Sequence, residues 1–207
     1  TSKQLDILKV NTIDRYIVKN KPKYLIHLAG LSRPMEIHDK LISESINKNI
    51  IGTANITKVC SKYNVKLIYV STCYVYPGFK GNYSEESPLL PINSYAWSKL
   101  GGESSVHMYK NSLILRASIT QKPFVHEAAF VDFKTNFIFH EDLISNIIKI
   151  INIKGVINIG GISQSVYNFA KKHNPKIKKI YASKIFGNKA RINLTMNIKK
   201  FINLIND

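Results

Sequence analysis

The sequence is poor in acidic residues, arginine and cysteine, and each shortage narrows the functions open to it. Its 207 residues include 13 Asp and Glu against 30 Lys and Arg, for a formal net charge of +17, but only four of the basic residues are arginine. The lysines are scattered along the chain, and no nucleic-acid-binding module is recognisable. We therefore expect no nucleic-acid partner, and the charge better suits an anionic, phosphorylated small substrate.

Long apolar runs and cysteine pairs are also missing. No run approaches the length of a membrane span, and the N-terminal residues lack the charged-then-apolar plan of a signal peptide. Cys60 and Cys73 have neither metal-site nor redox spacing, which fits a reducing cytoplasm and predicts no metal. Cys73 follows Thr72, and a small buried filler is favoured there over a reactive thiol. These absences predict a cytoplasmic protein with no membrane partner.

Strand-like and helix-like segments alternate, which predicts an α/β fold with a parallel sheet. Predicted strands are 24–29, 65–71, 113–117, 137–139 and 156–159, and predicted helices are 13–19, 41–61, a helix opening at Ser94, 141–151, 165–172 and 198–205. Ligands of such sheets bind beyond the carboxyl ends of the strands. Those ends are predicted at Ala29-Gly30, Ser71-Thr72 and Ala117-Ser118.

The pattern Tyr-x-x-x-Lys occurs at residues 76–80, 95–99 and 167–171. The first contains Pro77-Gly78, which predicts a turn in which the two side chains share no helix face. The third lies on a predicted helix but has no strand-end hydroxyl at a comparable distance upstream. The second shares one helix face and follows the strand end Val70-Ser71-Thr72. Only this occurrence has the context of a catalytic site.

The residue types of this second pair suit proton transfer. A cationic Lys99 stabilises the phenolate of Tyr95, so that a phenol with an ordinary pKa of ~10 exchanges protons closer to neutrality. The hydroxyl of Thr72 is placed to hold the substrate oxygen that receives the proton.

These segments together resemble the extended short-chain dehydrogenase/reductase superfamily, within it the dTDP-4-dehydrorhamnose reductases and related nucleotide-sugar reductases and epimerases. The matching segments, in the family's order, are residues 5–7, 27–30, 49–55, 70–78, 94–103, 115–118, 163–170 and 191–199. The resemblance implies a Rossmann-like, doubly wound parallel sheet with a small C-terminal substrate lobe. It implies a partial NAD(P)-binding domain over residues 1–118 and a substrate-binding lobe over residues 119–207.

The resemblance also implies roles for individual residues. The catalytic residues are Thr72 for the carbonyl oxygen, Tyr95 as general acid and Lys99, which also hydrogen-bonds the nicotinamide ribose. The residues implied to bind NADP or NAD are Asp6, Ile7, Leu28, Ala29, Gly30, Tyr95, Lys99 and Ser118. Arg191 is implied to contact the diphosphate of a nucleotide-linked sugar.

Some of these assignments have alternatives that the sequence leaves open. Asp6 and Ile7 contact the adenine or form an ordinary strand-end turn. Arg191 binds the diphosphate or forms a surface salt bridge. Asn49 is either an active-site support or a simple polar helix position.

The sequence departs from the family pattern at its start. The family opens with a strand and a glycine-rich turn that holds the cofactor pyrophosphate, and no G-x-x-G-x-x-G is present here. We therefore expect an N-terminally truncated Rossmann-like domain, that is, the C-terminal part of a longer protein.

The predicted activity is NAD(P)-dependent reduction of a nucleotide-linked 4-keto-6-deoxy sugar, with a homodimer as an allowed assembly. The alternatives are a nucleotide-sugar 4-epimerase and a non-catalytic subunit similar to the methionine adenosyltransferase regulatory subunit. The sequence does not choose between NAD and NADP, because the discriminating residue follows a strand that is missing.

Overall fold

The computed structural model describes residues 5–187 and 190–206. Its main sheet has four strands in the order β1-β2-β3-β8. These strands are β1 (Tyr24–His27), β2 (Lys66–Thr72), β3 (Ser112–Ala117) and β8 (Gly155–Ile159). β1 and β2 run parallel, with Tyr24 opposite Lys66 and His27 opposite Tyr69. The predicted α/β fold with a parallel sheet is confirmed.

The remaining elements are helices and short strands. The helices are α1 (Val10–Asn20), α2 (Ile37–Lys40), α3 (Ile42–Ser45), a π-helical segment (Ile46–Ile51), α4 (Gly52–Lys62), a 3-10 turn (Cys73–Val75), α5 (Ser94–His107), α6 (His140–Ile150), α7 (Val166–Lys171), α8 (Ala182–Phe186) and α9 (Lys199–Asn206). The short strands are β4 (Ile119–Thr120), β5 (Ala128–Phe130), β6 (Lys134–Thr135), β7 (Ile138–Phe139), β9 (Gln164–Ser165) and β10 (Lys178–Ile180). β5 pairs with β10, β4 with β7, and β6 with β9.

The chain divides into two compact units. The first consists of the segment ending at Ser71, Asn93–Leu115 and Asn152–Val156, and the second consists of Thr72–Ile92, Arg116–Ile151 and the residues from Ile157 onward. The predicted division into domains after residue 118 stays a prediction.

The core of the first unit forms where α1 and α4 bury apolar stripes. Ile13 and Ile17 lie four residues apart on α1, and both are buried because that spacing places them on one helix face. They cluster with Ile56, Val59 and Cys60 of α4 and with buried residues of β2. The core of the second unit is aromatic instead, with Phe139 and Phe169 5.1 Å apart between ring centroids.

Strand β1 is less buried than the sequence predicts. The predicted strand over residues 24–29 ends at His27, and the side chain of Ile26 is 44% exposed. Among the described strands β1 has a single neighbour, β2, so one of its edges is open. An apolar run alone predicts a buried strand, whereas burial depends on what pairs with and covers it.

Candidate functional site

Tyr95 and Lys99 lie on one face of α5 in the first unit. The Asn93 side chain caps this helix, since its Oδ1 accepts a hydrogen bond from the Ala96 N–H at 2.9 Å. The cap fixes the first helical turn, which carries Tyr95. Lys99 follows one turn later, so the predicted helical placement of this pair is observed.

The ammonium group of Lys99 lies against an aromatic ring. Its Nζ is 4.1 Å from the centroid of the Tyr69 ring, and the Tyr69 hydroxyl donates to the Lys99 carbonyl at 3.0 Å. Burial lowers the pKa of Lys99 to about 7, while the negative charge of Glu103 acts in the opposite direction. The charge of Lys99 therefore changes near neutral pH.

Glu103 is a fully buried carboxylate that the sequence analysis did not single out. Its side chain is 0% exposed, and its Oε2 accepts a hydrogen bond of 2.6 Å from Ser71 Oγ. Its Oε1 lies 3.5 Å from His107 Nε2. Buried carboxylates are rare unless they have such partners. The available signal was its position four residues after Lys99 on the same helix face.

A second buried group near Lys99 is an uncharged histidine. His27 ends β1, and its Nε2 lies 3.0 Å from Thr53 Oγ1. Burial, and then the charge of Lys99, lowers the pKa of His27 to about 3. The imidazole is therefore neutral at pH 7 and adds no charge to the site.

Asn49 connects the chain after β1 to α5. Its Oδ1 accepts from the Leu31 N–H at 2.7 Å, and its Nδ2 donates to the Leu31 carbonyl at 2.9 Å and to Ser98 Oγ at 2.8 Å. Asn49 is buried within the π-helical segment, a helix type that often occurs at functional sites. These bonds make Asn49 a structural link between the two segments, and its predicted role as an active-site support stays a prediction.

Leu28, Ala29 and Gly30 follow β1 and are exposed. A Cβ atom at Gly30 would lie 2.8 Å from Asn49 Oδ1, so the close approach of these two residues requires glycine. The predicted contact of these three residues with a cofactor stays a prediction.

Asp6 and Ile7 form a turn just before α1. Asp6 Oδ1 accepts from the Leu8 N–H at 3.0 Å, and the Ile7 carbonyl accepts from Asn55 Nδ2 at 3.0 Å. A turn is thus present at these residues. The adenine contact stays a prediction.

Thr72 and Ser118 belong to the second unit, and both are buried. Thr72 Oγ1 accepts from the Tyr74 N–H at 3.2 Å, which caps the 3-10 turn after β2. Ser118 Oγ lies 2.7 Å from Thr135 Oγ1. Cys73, which follows Thr72, is 1% exposed, and burial raises the pKa of its thiol to about 11. A buried thiol of raised pKa is unreactive, which agrees with the predicted role of Cys73 as a small buried side chain.

Arg191, also in the second unit, binds backbone carbonyls. Its Nη1 donates to the carbonyls of Leu90 at 3.2 Å and Pro91 at 2.8 Å, and its guanidinium lies 5.4 Å from the Phe79 ring centroid. The loop before α5 is thereby held in place. The predicted contact with a substrate diphosphate stays a prediction.

The arrangement in the first unit combines a phenol, a lysine of lowered pKa and a buried carboxylate on one helix.

A family model described as "RmlD substrate binding domain" matches residues 1–135, well over half of the chain. The chain belongs to the RmlD substrate binding domain family. The family resemblance drawn from the sequence is confirmed.

The RmlD-family chain is similar to two kinds of curated protein. It is 31% identical to methionine adenosyltransferase 2 subunit beta of Xenopus tropicalis over 56% of this chain and 34% of that protein. It is 29% identical to dTDP-4-dehydrorhamnose reductase of Aggregatibacter actinomycetemcomitans over 56% of this chain and 40% of that protein. The chain thus spans about a third of the length of the curated relatives it matches.

Solved structures share the fold of this RmlD-family chain. The dTDP-4-dehydrorhamnose reductase of Bacillus anthracis, solved with NADP, has a TM-score of 0.85 at 23% identity, over 98% of this chain and 81% of that one. Bordetella bronchiseptica WbmG, solved with NAD and UDP, has a TM-score of 0.77 at 17% identity, over 97% and 72%. The Rossmann-like fold class is confirmed, and structural neighbours are solved with NADP or NAD bound.

Two other kinds of feature do not occur among the described residues. Within residues 5–187 and 190–206, three or more His, Cys, Asp or Glu side chains nowhere group as metal ligands would. None of the described helices is both long and apolar enough to cross a bilayer.

Proposed function

We propose that this chain is part of an NAD(P)-dependent reductase that acts on a nucleotide-linked 4-keto-6-deoxy sugar. The observation that carries the proposal is the placement of Tyr95 and Lys99 on one face of α5, with the pKa of Lys99 lowered to about 7. The similarity to dTDP-4-dehydrorhamnose reductases supports the substrate class.

Tyr95 is the proposed proton donor. Reduction of a ketone makes an alkoxide, and a phenol at the reacting oxygen supplies the proton as the negative charge develops. A cationic Lys99 lowers the free energy of the phenolate that remains, so it favours the transfer. Thr72 is proposed to hold the carbonyl oxygen, which would orient the substrate and stabilise the developing charge.

The residues present fit one end of a dinucleotide. The Nζ of Lys99 lies over the Tyr69 ring and is the proposed donor to a ribose hydroxyl, and the exposed residues from Leu28 to Gly30 would permit close approach of a ligand. The 207-residue sequence contains no glycine-rich phosphate-binding turn, so a cradle for the diphosphate is not among these residues. Bound nicotinamide supplies the hydride. Arg191 is the proposed contact of the substrate diphosphate, and Asp6, Ile7 and Ser118 are further proposed cofactor contacts.

A reductase assay with matched variants tests the proposal. The protein that contains this chain is incubated with NADPH and dTDP- or GDP-linked 4-keto-6-deoxy sugars, and the loss of absorbance of the reduced cofactor is followed. We expect Tyr95→Phe to lower kcat by at least about 100-fold. Tyr167→Phe is the control, because Tyr167 and Lys171 repeat the same spacing on α7. Absence of turnover with all of these sugars would contradict the proposal.

A non-catalytic regulatory subunit is the second candidate. The similarity to methionine adenosyltransferase 2 subunit beta and the lack of a glycine-rich turn favour it. Calorimetry with NADPH on the protein that contains this chain separates the two candidates, since a reductase must bind reduced cofactor and a scaffold need not. A 4-epimerase would convert nucleotide sugars without net consumption of reduced cofactor.

A cytoplasmic location and a homodimer remain part of the proposal, with no membrane or nucleic-acid partner.

A further inference from the structure

His38 is a buried histidine that the sequence analysis did not use. It lies on α2 and is 2% exposed, and its ring centroid is 5.1 Å from that of Tyr95. The neighbouring residue, Asp39, accepts a hydrogen bond through Oδ1 from Ser94 Oγ, at the start of α5. This bond joins α2 to the first turn of α5, which carries Tyr95.

One nitrogen of His38 is bonded and the other is not. Its Nδ1 lies 2.7 Å from Ser45 Oγ. Its Nε2 is the one fully buried side-chain nitrogen or oxygen in the described residues that has no hydrogen-bond partner of normal geometry. Such groups are rare in folded proteins, and each calls for an explanation, such as a functional role or a bound group that completes the hydrogen bond.

The chemistry of this nitrogen is that of a neutral imidazole. Burial lowers the pKa of His38, while the Ser32 backbone carbonyl and the Asp39 carboxylate act in the opposite direction. The orientation of the Ser45 hydroxyl determines whether Nε2 carries the lone pair or the proton. A hydroxyl group both donates and accepts, so it satisfies Nε2 in either tautomer, whereas an anion satisfies only the protonated form.

We propose that His38 Nε2 hydrogen-bonds a hydroxyl of the sugar whose carbonyl is presented to Tyr95, and that it selects sugars bearing that hydroxyl. The inference rests on the proposed function, because it needs a sugar at Tyr95. A buried group that a substrate hydroxyl must satisfy discriminates strongly against an analogue that lacks the hydroxyl, since the group is then left without a partner. His38 is thus a specificity-determining residue and not a proton donor.

Two amide substitutions separate the roles of the two nitrogens. The amide of glutamine reaches the position of Nε2, and that of asparagine reaches the position of Nδ1. If Nε2 binds the sugar, His38→Gln retains most of the affinity for dTDP-rhamnose and His38→Asn loses at least about tenfold. If the contact with Ser45 is what matters, the order of the two variants is reversed, and the inference is overturned.

Calorimetry of the 207-residue chain measures these affinities, with dTDP as the probe that lacks the sugar. We expect the affinity for dTDP to be the same in wild type, His38→Gln and His38→Asn. Equal losses for dTDP and dTDP-rhamnose, or no loss for either, would overturn the inference alone. A wild-type chain that binds dTDP but gains nothing from the sugar would overturn it as well. Failure of the wild type to bind any nucleotide sugar would overturn both this inference and the proposed function.

A spectroscopic readout tests the same contact without activity. In ¹⁵N-histidine NMR spectra we expect the Nε2 resonance of His38 to shift on addition of dTDP-rhamnose and to stay in place with dTDP. His27 is the internal control, because its Nε2 already has Thr53 as partner. Equal shifts of both histidines, or no shift of His38 with a sugar that calorimetry shows to bind, would contradict the proposal.

Discussion

Among single residues, Lys99 has the protonation state on which the proposed chemistry depends. Burial lowers its pKa to about 7, so its ammonium is charged below that pH and neutral above it. The charge that favours phenolate formation at Tyr95 is therefore lost as the pH rises through about 7. Glu103 raises the pKa of Lys99, so this buried carboxylate extends the pH range over which the Lys99 ammonium stays charged.

Replacing Glu103 should move this pH dependence. Glu103→Gln keeps an acceptor for Ser71 Oγ but removes the negative charge that favours the Lys99 ammonium. We expect the alkaline limb of the kcat profile to move to lower pH by about half a unit to one unit. Reductase rates between about pH 5.5 and 9 measure it. Glu141→Gln, an exposed position on α6, is the control, and coincident profiles for Glu103→Gln and wild type would contradict the prediction.

Among the elements, α5 packs closely against the π-helical segment, and the surroundings of two adjacent glycines show this. A Cβ at Gly102 would overlap the backbone carbonyl oxygen of Asn49 and lie 2.9 Å from Tyr69 Oη. The three atoms nearest to a Cβ at Gly101 all belong to the Ile50 side chain, and the nearest lies at 2.8 Å. A side chain can change rotamer, whereas a carbonyl within a helix cannot move alone.

The two glycines should therefore respond differently to alanine. Both substitutions gain about 1 kcal/mol of helix propensity, so this contribution cancels between them. We expect Gly102→Ala to lower the free energy of unfolding by about 1–3 kcal/mol and Gly101→Ala to change it by less than about 1 kcal/mol. Urea unfolding of the two variants and wild type measures the difference. Equal effects would mean that α5 does not lie this close to Asn49.

The elements also show where prediction from sequence ends. The helices α1, α5 and α6 and the strands β2 and β3 lie within a few residues of their predicted ranges, because each has apolar periodicity and clear end signals. The strands β5 and β10 were not predicted, since each has three residues and its partner lies far away along the chain.

The candidate site divides in a similar way. The spacing of Tyr95 and Lys99 is local, so a sequence pattern was enough to find it. The burial of Glu103 and the unpartnered nitrogen of His38 arise from tertiary packing, which no local pattern encodes. The π-helical segment lies inside a stretch predicted as one helix over residues 41–61, because a single extra residue in a turn barely disturbs the apolar spacing.

At the scale of the whole molecule, the net charge of +17 is only weakly compensated by local ion pairs. The lysine–carboxylate pairs found among the described residues are Lys9–Asp6, Lys40–Glu36, Lys48–Glu44 and Lys62–Asp14. In each pair the lysine side chain is at least 43% exposed, and such surface pairs contribute little to stability. Repulsion among the other basic side chains therefore opposes the folded state more than the expanded one.

Salt should stabilise this chain, because it screens that repulsion. The Debye length falls from about 30 Å at 0.01 M salt to about 8 Å at 0.15 M, so repulsion between separated surface charges is screened more strongly at the higher salt concentration. We expect Tm to rise by several degrees over this range, with NaCl and KCl giving the same curve because ionic strength is what matters. Sucrose at matched osmolality is the control for a general solvent effect. A Tm that stays level or falls in both chlorides would show that attractive surface pairs outweigh the excess positive charge.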